Sequence, residues 1–248
     1  MQASVTRFVI LAAPRTGSNL LCTLLNSHPE ILCHHEVFNP RGVFTARDYC
    51  GRELDVDSLH DRDENWSDFL DRVWQSGAER SCVGFKWTRG QNTDVLNSVV
   101  ADPGVRKIVL RRKNRIKTFV SERIAQQTDQ WEVYSRQDLV MPRPSIRVDV
   151  ADLFEHIERN KQFYDKLLMS LDWGNQFVVE IDYERLFETT VQENLFKFLG
   201  VDPPERPPVA ESVKQNPKDL RDSIANFTEL AEQLSTVGMT SELFDQGN

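Results

Sequence analysis

The sequence predicts an α/β fold in which helices cover a central, mainly parallel sheet. Apolar runs of strand length alternate with longer amphipathic segments, and this alternation is typical of β-α-β units. The runs are apolar throughout, as expected of strands that are buried on both faces. The chain has 248 residues, shows no internal repeat and has no clear boundary between domains. We therefore expect a single domain over residues 1–248.

Four strands follow from the apolar runs, at residues 8–13, 82–87, 107–110 and 177–181. A helix is expected after the first strand and another after the third. Their buried faces are marked by apolar residues at helical spacing: Leu20, Leu21, Leu24 and Leu25 in the first helix, and Ile116, Phe119, Val120 and Ile124 in the second.

Three more helices are expected towards the C-terminus. A long one covers 153–171, where apolar residues fall near one stripe. The next covers about 190–199, with Thr189 and Gln192 at capping-box spacing and Gly200 as its stop. The last spans 217–234. Segments 39–65 and 130–149 carry no clear pattern and are predicted to be inserted loop regions.

Composition argues against several classes of protein. Thirty Lys and Arg stand against 38 Asp and Glu, a net charge of −8, which disfavours nucleic-acid binding. No run approaches the ~20 apolar residues of a membrane span, and the start at 1–7 lacks the regions of a signal peptide. Four cysteines, Cys22, Cys33, Cys50 and Cys82, have no zinc-site spacing and are too sparse for a disulfide scaffold. We expect a cytoplasmic protein with reduced thiols.

The turn between the first strand and its helix is a candidate anion site. The first N–H groups of a helix have no intrachain partner, so Thr16, Gly17, Ser18 and Asn19 can present backbone donors to a phosphate. Arg15 adds a planar cation. The residue after Gly17 is not the lysine of a Walker A loop, which argues against an ATPase or a kinase. Taken alone, the segment is also compatible with an ordinary strand-to-helix turn.

A second basic cluster, residues 111–115, follows the third strand, and Ser121 lies on the helix after it. Because parallel strands end at the same edge of a sheet, Arg112 and Arg15 are expected to face one crevice. Dense cations at a helix start oppose the helix dipole, so an anionic ligand would relieve an unfavourable arrangement. Arg111 and Lys113 are rivals of Arg112 for the phosphate.

Taken together, the motifs resemble the sulfotransferases that use 3′-phosphoadenosine-5′-phosphosulfate (PAPS). The similarity is greatest to the bacterial carbohydrate branch, which includes trehalose 2-sulfotransferase and nodulation-factor sulfotransferases. It rests on the loop 14–21, Arg112 with Ser121, His28-Pro29, the run 33–39, Gly84-Phe85-Lys86, the run 183–186, Phe198-Leu199-Gly200, and Lys214-Gln215-Asn216-Pro217. Two departures are the nine-residue spacing from Arg112 to Ser121, one longer than in the phenol branch, and Asn19 where a Thr is common.

The resemblance implies a P-loop-like, three-layer fold that uses PAPS and no metal. The acceptor would be a hydroxyl of a sugar or glycolipid, attacked in line, with Glu36 as the general base. The resemblance and strand-end placement assign Arg15 and Lys86 to the reacting groups, and His35 and His34 are rival bases. The residues expected to bind the donor are Pro14, Arg15, Thr16, Gly17, Ser18, Asn19, Leu20, Arg112, Ser121, Tyr183, Lys214, Gln215 and Asn216.

Several alternatives stay open at this stage. Lys86 is equally compatible with a surface position, and Tyr183 with a packing role. One segment mixes aromatic and cationic residues and is either a loop over a carbohydrate or anionic acceptor, or a dimer contact or mobile loop: Trp131, Tyr134, Arg136, Met141, Arg143 and Arg147. The rival functions are a P-loop-type nucleotide phosphotransferase and a non-catalytic PAPS-binding protein. A homodimer is a further expectation.

Overall fold

One five-stranded parallel sheet organises the computed structural model, which describes residues 5–77 and 79–245. The strands are β1 (Thr6–Ala12), β2 (Ile31–His34), β3 (Cys82–Thr88), β4 (Val105–Arg111) and β5 (Val178–Asp182), in the order β2-β3-β1-β4-β5. Every paired neighbour is parallel. The predicted α/β class with a mainly parallel sheet is confirmed. Residues 1–4, part of the start that we read as free of a signal peptide, lie outside the described residues.

Helices flank the sheet. They are α1 (Ser18–Asn26), α2 (Leu59–Glu64), α3 (Trp66–Gln75), α4 (Thr93–Ala101), α5 (Arg115–Thr128), α6 (Val150–Ser170), α7 (Thr189–Leu199), α8 (Phe227–Ser235) and α9 (Thr240–Phe244). Short 3-10 turns lie at Arg136–Asp138, Tyr183–Arg185 and Leu220–Asp222. Within the described ranges, no helix has the length and apolar character needed to cross a bilayer.

Alternate residues of β1 point to opposite faces of the sheet and create a core on each. Val9 and Leu11 pack with apolar residues of α3, α4 and α6. Phe8 and Ile10 pack on the other face with residues of α1 and α7. A third cluster joins α5, α8, α9 and the start of α6. Helices on both faces of a sheet give the three layers that the resemblance implies.

Tyr164 of α6 fixes the edge of the sheet at which β1 and β4 end. Its hydroxyl accepts a hydrogen bond from the backbone N–H of Ala13 (2.9 Å) and donates one to the carbonyl of Leu110 (2.7 Å). The side chain is buried, so both bonds are shielded from water. One long helix thereby holds the two strand ends that carry Arg15 and Arg112.

One predicted helix start and one predicted helix cap are wrong. Residues 217–226 form no α-helix, because the carbonyl of Ser223 and the N–H of Ala225 bond to the backbone of Ile146, so α8 begins only at Phe227. The capping box at α7 does not form. Thr189 is already helical, and the Gln192 side chain bonds to the carbonyl of Leu186 (2.7 Å). The predicted stop at Gly200 is confirmed by its φ of 82°.

The two unassigned segments are held by specific contacts. In 39–65, which contains α2, the buried Arg62 guanidinium donates to the carbonyls of Val37 (3.1 Å), Asn39 (2.9 Å) and Gly42 (3.2 Å). The second segment bonds to the C-terminal part of the chain, where the Arg143 guanidinium donates to the side chain of Asn216 (3.0 Å). Both segments thereby come to line one cavity.

Candidate active site

A cavity of about 1210 Å³ lies at the carboxyl ends of the strands. Its walls come from the turn after β1, the end of β3, the segment after β4, and the residues around 128–133 and 208–217. This is the edge at which ligands collect in open parallel sheets. With the exception of Thr16, all the residues expected to bind the donor line it. Thr16 is buried, and its hydroxyl donates to the carbonyl of Ala13 (2.8 Å).

The turn after β1 depends on Gly17. Its φ of 94° lies in the left-handed region, and it occupies the N-cap position of α1 without a side-chain cap. A Cβ added there would lie 2.2 Å from Cδ2 and 2.6 Å from Cε2 of Tyr183. The backbone therefore approaches the Tyr183 ring more closely than any side chain would allow, and the first N–H groups of α1 stay open to an anion.

Arg15 is a half-buried cation whose hydrogen-bond partners are neutral groups. Its Nε donates to the hydroxyl of Ser121 (2.9 Å), and its other nitrogens donate to the carbonyl of Trp131 (2.5 Å) and to Gln215 Oε1 (3.3 Å). Burial, followed by repulsion from Arg112, lowers the pKa of Arg15 to about 10. The group is still charged at neutral pH, in a place that favours an anionic partner.

Of the three rival cations after β4, the fold brings only Arg112 to the cavity. Arg111 pairs with Glu180 (3.1 Å), and the exposed Lys113 pairs with Asp182 (2.8 Å).

Arg112 donates to the carbonyl of Arg15 (3.2 Å) and stacks over the ring of Tyr183, 4.7 Å from its centroid. Its buried Nε has no hydrogen-bond partner among the described residues, and burial lowers its pKa. The hydroxyl of Ser121, which the resemblance assigns with Arg112 to one phosphate, accepts a hydrogen bond from Arg15 Nε.

Lys86 lies between two carboxylates that also line the cavity. Its Nζ is 3.2 Å from Glu36 Oε1 and 3.1 Å from Glu132 Oε1, and its side chain is 2% exposed. The alternative of a surface lysine is therefore wrong. Burial alone would lower the pKa of Lys86, but Glu36 and Glu132 outweigh it and raise that pKa above its ordinary value.

Both carboxylates keep their charge for the same reason. Burial favours the protonated form of Glu36, but the Lys86 ammonium and a hydrogen bond from Asn39 (2.5 Å) bring its pKa below the ordinary value. In Glu132, burial is likewise outweighed by Lys86 and by contacts with His35 and Tyr134, and the pKa falls well below its usual range. The Tyr134 hydroxyl donates to Glu132 Oε2 (2.6 Å).

The two histidines before Glu36 lie behind the cavity wall. His34 is fully buried, with Nε2 at 2.8 Å from the Ser76 hydroxyl and Nδ1 accepting the N–H of Ala46 (3.2 Å). Burial, followed by His35, lowers the pKa of His34 to about 4. His35 is 2% exposed, with Nδ1 at 3.6 Å from Glu132 Oε1.

Sequence reasoning missed Glu132. The signal available was an acidic residue between Trp131 and Tyr134 in the unassigned segment 130–149.

Residues 208–217 form part of the cavity wall and bond to the segment around Trp131. The N–H of Val213 donates to the carbonyl of Val133 (2.8 Å), and the Gln215 side chain donates to the carbonyl of Trp131 (3.2 Å). Gln215 also accepts from Arg15. Within residues 5–77 and 79–245, no cluster of three or more His, Cys, Asp and Glu side chains is arranged to hold a metal ion.

Comparison with known proteins supports the resemblance. No protein-family model matches the chain. Nodulation protein H of Rhizobium meliloti (strain 1021) is 26% identical over 246 residues, which cover 97% of this chain and 96% of that protein. Nodulation protein H of Rhizobium tropici is 26% identical over 227 residues, or 90% of this chain and 87% of the relative. The similarity extends over nearly the whole chain and supports the predicted resemblance to the sulfotransferases.

A solved sulfotransferase structure from Alicyclobacillus acidocaldarius is also similar, with 18% identity and a TM-score of 0.48 over 96% of this chain and 93% of that one. The predicted resemblance to the sulfotransferases is confirmed by the nodulation protein H relatives, and with it the prediction of an enzyme.

Proposed function

We propose that this sulfotransferase moves a sulfuryl group from PAPS to a hydroxyl of a carbohydrate or glycoconjugate. The observation that carries the proposal is one cavity with two half-buried guanidiniums, Arg15 and Arg112, at one part of its wall and the pair Lys86 and Glu36 at another. The first pair suits an anionic nucleotide donor. The second pair suits the activation of a hydroxyl.

The residues of the donor end fit such a nucleotide. Arg112 Nε is buried without a hydrogen-bond partner in the described part of the chain, and Arg15 bonds to neutral groups. Phosphate oxygens would supply acceptors for both guanidiniums and for the uncapped N–H groups of α1. Tyr183, Lys214, Gln215 and Asn216 lie on the same cavity and would hold the rest of the nucleotide.

Sulfuryl transfer needs a group that accepts a proton and groups that stabilise the leaving phosphate. Bound PAPS supplies the sulfuryl group: the acceptor oxygen bonds to sulfur while the bond from sulfur to the 5′-phosphate breaks, and its electron pair leaves on the phosphate oxygen. Glu36 accepts the proton of the acceptor hydroxyl, for which its lowered pKa keeps it ionised at neutral pH. Arg15 and the N–H groups of α1 stabilise the charge that develops on the leaving phosphate oxygen.

A carbohydrate acceptor is supported by the similarity to nodulation protein H along almost the whole chain and by the cavity wall near Glu36. Asn39, Arg41 and Trp131 line this part, with the Arg41 guanidinium 5.8 Å from the centroid of the Trp131 ring. Polar groups beside an aromatic face suit the hydroxyls and the apolar C–H face of a sugar.

Three further predictions accompany the proposal. The one sheet, built from strands between residues 6 and 182, supports a single domain. The thiols of Cys22, Cys33, Cys50 and Cys82 are free, which supports work in a reducing compartment such as the cytoplasm. The homodimer stays a prediction.

Calorimetric titration with adenosine 3′,5′-bisphosphate, without divalent metal, tests the donor. We expect tight binding that weakens in Arg112→Ala and exceeds the binding of ADP and ATP. Preference for ATP, or no binding of the bisphosphate, would refute the PAPS proposal and favour a nucleotide phosphotransferase. Retained binding in a protein that sulfates no hydroxyl would identify a non-catalytic PAPS-binding protein.

A further inference from the structure

Glu132 is a second carboxylate on the reacting side of the cavity, and the proposed chemistry gives it no role. It lies beyond α5, far in sequence from both Glu36 and Lys86. Its Oε1 is 3.1 Å from Lys86 Nζ, nearly the distance between that nitrogen and Glu36 Oε1. Its Oε2 accepts the hydroxyl of Tyr134 (2.6 Å). Glu132 thus approaches the ammonium as closely as the proposed base does.

The Lys86 ammonium has one more N–H donor than the two carboxylates use. An ammonium has three N–H donors, and two carboxylate oxygens account for two of them. Lys86 itself lines the cavity. The third N–H is available to an oxygen of a group in the cavity, and its direction is set once the other two are held.

The segment that carries Glu132 is fixed from the donor end. The carbonyl of its neighbour Trp131 accepts hydrogen bonds from Arg15 and from Gln215, 3.2 Å away in the second case. His35 and Tyr134 pack behind the carboxylate, with the two rings 6.2 Å apart and nearly perpendicular. The backbone beside Glu132 and the rings behind its carboxylate therefore fix its position, and the fixed carboxylate can orient the Lys86 ammonium.

We propose that Glu132 is a positioning residue, which keeps the Lys86 ammonium beside Glu36 and directs its third N–H to the transferring sulfuryl group. The inference rests on the proposed function. Without Glu132, Lys86 would pair with Glu36 alone. The proposed base would then be bound more tightly by its cation, and the N–H intended for the sulfuryl group would lose its direction.

The test compares Glu132→Gln with Glu36→Gln and with the control Asp138→Asn, which makes the same charge change at an exposed position of the same segment. Affinity for adenosine 3′,5′-bisphosphate is measured by calorimetry. Turnover is measured as transfer of ³⁵S from labelled PAPS to a pool of sugars that includes trehalose.

For Glu132→Gln we expect kcat about 10- to 100-fold lower, because a misplaced catalytic group costs that much. Affinity for the bisphosphate should be unchanged or higher, since one negative charge leaves the cavity. A merely structural role would instead weaken donor binding, because the same segment bonds to Arg15. Tyr134→Phe, which removes the hydrogen bond to Glu132, should show a smaller fall of kcat in the same direction.

Lys86→Met supplies a second readout that does not depend on turnover. It leaves two carboxylates without their cation, so PAPS affinity should fall, and adding Glu132→Gln should restore part of it. In this background Glu132→Gln should also cause no further loss of kcat.

Equal kcat in Glu132→Gln and Asp138→Asn would overturn the inference, and so would a loss as large as that of Glu36→Gln, which would make Glu132 a base. A wild type that binds no bisphosphate, or transfers no label, would instead overturn the proposed function.

Discussion

Gly17→Ala tests the close approach of the turn after β1 to the ring of Tyr183. The new Cβ would lie 2.2 Å from Cδ2 of that ring, far inside van der Waals contact. Cδ2 is near the stem of the side chain, so a small rotation cannot clear it, and Arg112 stacks on the same ring. The substitution must therefore move the turn, the ring or both.

The magnitude follows from two costs. Overpacking of this kind costs about 1–3 kcal/mol, and a left-handed φ adds roughly 1 kcal/mol for an L-residue. We expect Gly17→Ala to lose about 3 kcal/mol of unfolding free energy, which lowers Tm by roughly 6–12 °C in a chain of this size. Affinity for adenosine 3′,5′-bisphosphate should fall as well, since Arg112 stacks on the ring that would be displaced.

Gly238→Ala is the matched control. Gly238 has a φ of 71°, but its Cβ would meet no atom of the described residues within 4 Å. It should lose only about 1 kcal/mol, from backbone strain alone. Denaturant unfolding measures both variants, and Tyr183→Ala in the Gly17→Ala background should recover part of the loss. Equal losses at the two glycines, or no recovery in the double variant, would refute the clash.

Three other outcomes are expected. Arg112→Ala should weaken binding of adenosine 3′,5′-bisphosphate roughly 10- to 100-fold in calorimetry, because a charge-assisted hydrogen bond is lost. Lys113→Ala should leave the affinity within about twofold, because that lysine pairs outside the cavity. Similar losses in the two variants would contradict the choice of Arg112. Glu36→Ala should keep that affinity while turnover of ³⁵S-labelled PAPS falls at least ~100-fold, and unchanged turnover would exclude Glu36 as the base. His34 has a folded pKa of about 4, lowered first by burial and then by His35, so the unfolded chain binds more protons between pH 6.5 and 4. Unfolding free energy should therefore fall by about 3 kcal/mol as pH drops through that window, with a shallower fall in His34→Gln; equal slopes by denaturant unfolding would refute the assignment.

The sheet was predictable where a strand contains a run of apolar residues. The runs at 8–13, 82–87, 107–110 and 177–181 all became strands, within two residues at each end, because apolar residues dominate each run even where it includes a charged one such as Lys86 or Glu180. The strand β2 was missed. It has only four residues, Ile31–His34, and its last residue is a buried histidine whose partner Ser76 is distant in sequence.

The donor end of the cavity was predictable for a different reason. Its residues follow strand ends, and parallel strands bring their carboxyl ends together whatever the loops do. The choice among Arg111, Arg112 and Lys113 needed the structure, because it depends on the carboxylates of β5 that pair with the other two. Glu132 was out of reach since it lies in a segment without periodicity, and its partner Lys86 is placed there only by tertiary contacts.

Under the proposed function, the donor end and the acceptor end of the cavity carry opposite charge and are connected through the backbone. At the donor end, Arg112 lies close enough to Arg15 to add to the lowering of its pKa by burial, and the side-chain hydrogen bonds of Arg15 go to the neutral groups of Ser121 and Gln215. At the acceptor end, Lys86 faces two carboxylates, so that trio carries one excess negative charge. A donor with anionic groups would relieve the first end. At the second, the Lys86 ammonium keeps Glu36 ionised as a proton acceptor, although the like charge of Glu132 opposes it. The carbonyl of Trp131 bonds to Arg15 while the next residue, Glu132, bonds to Lys86. A shift of Arg15 towards a phosphate would therefore be transmitted through a single peptide unit to the carboxylate that positions Lys86.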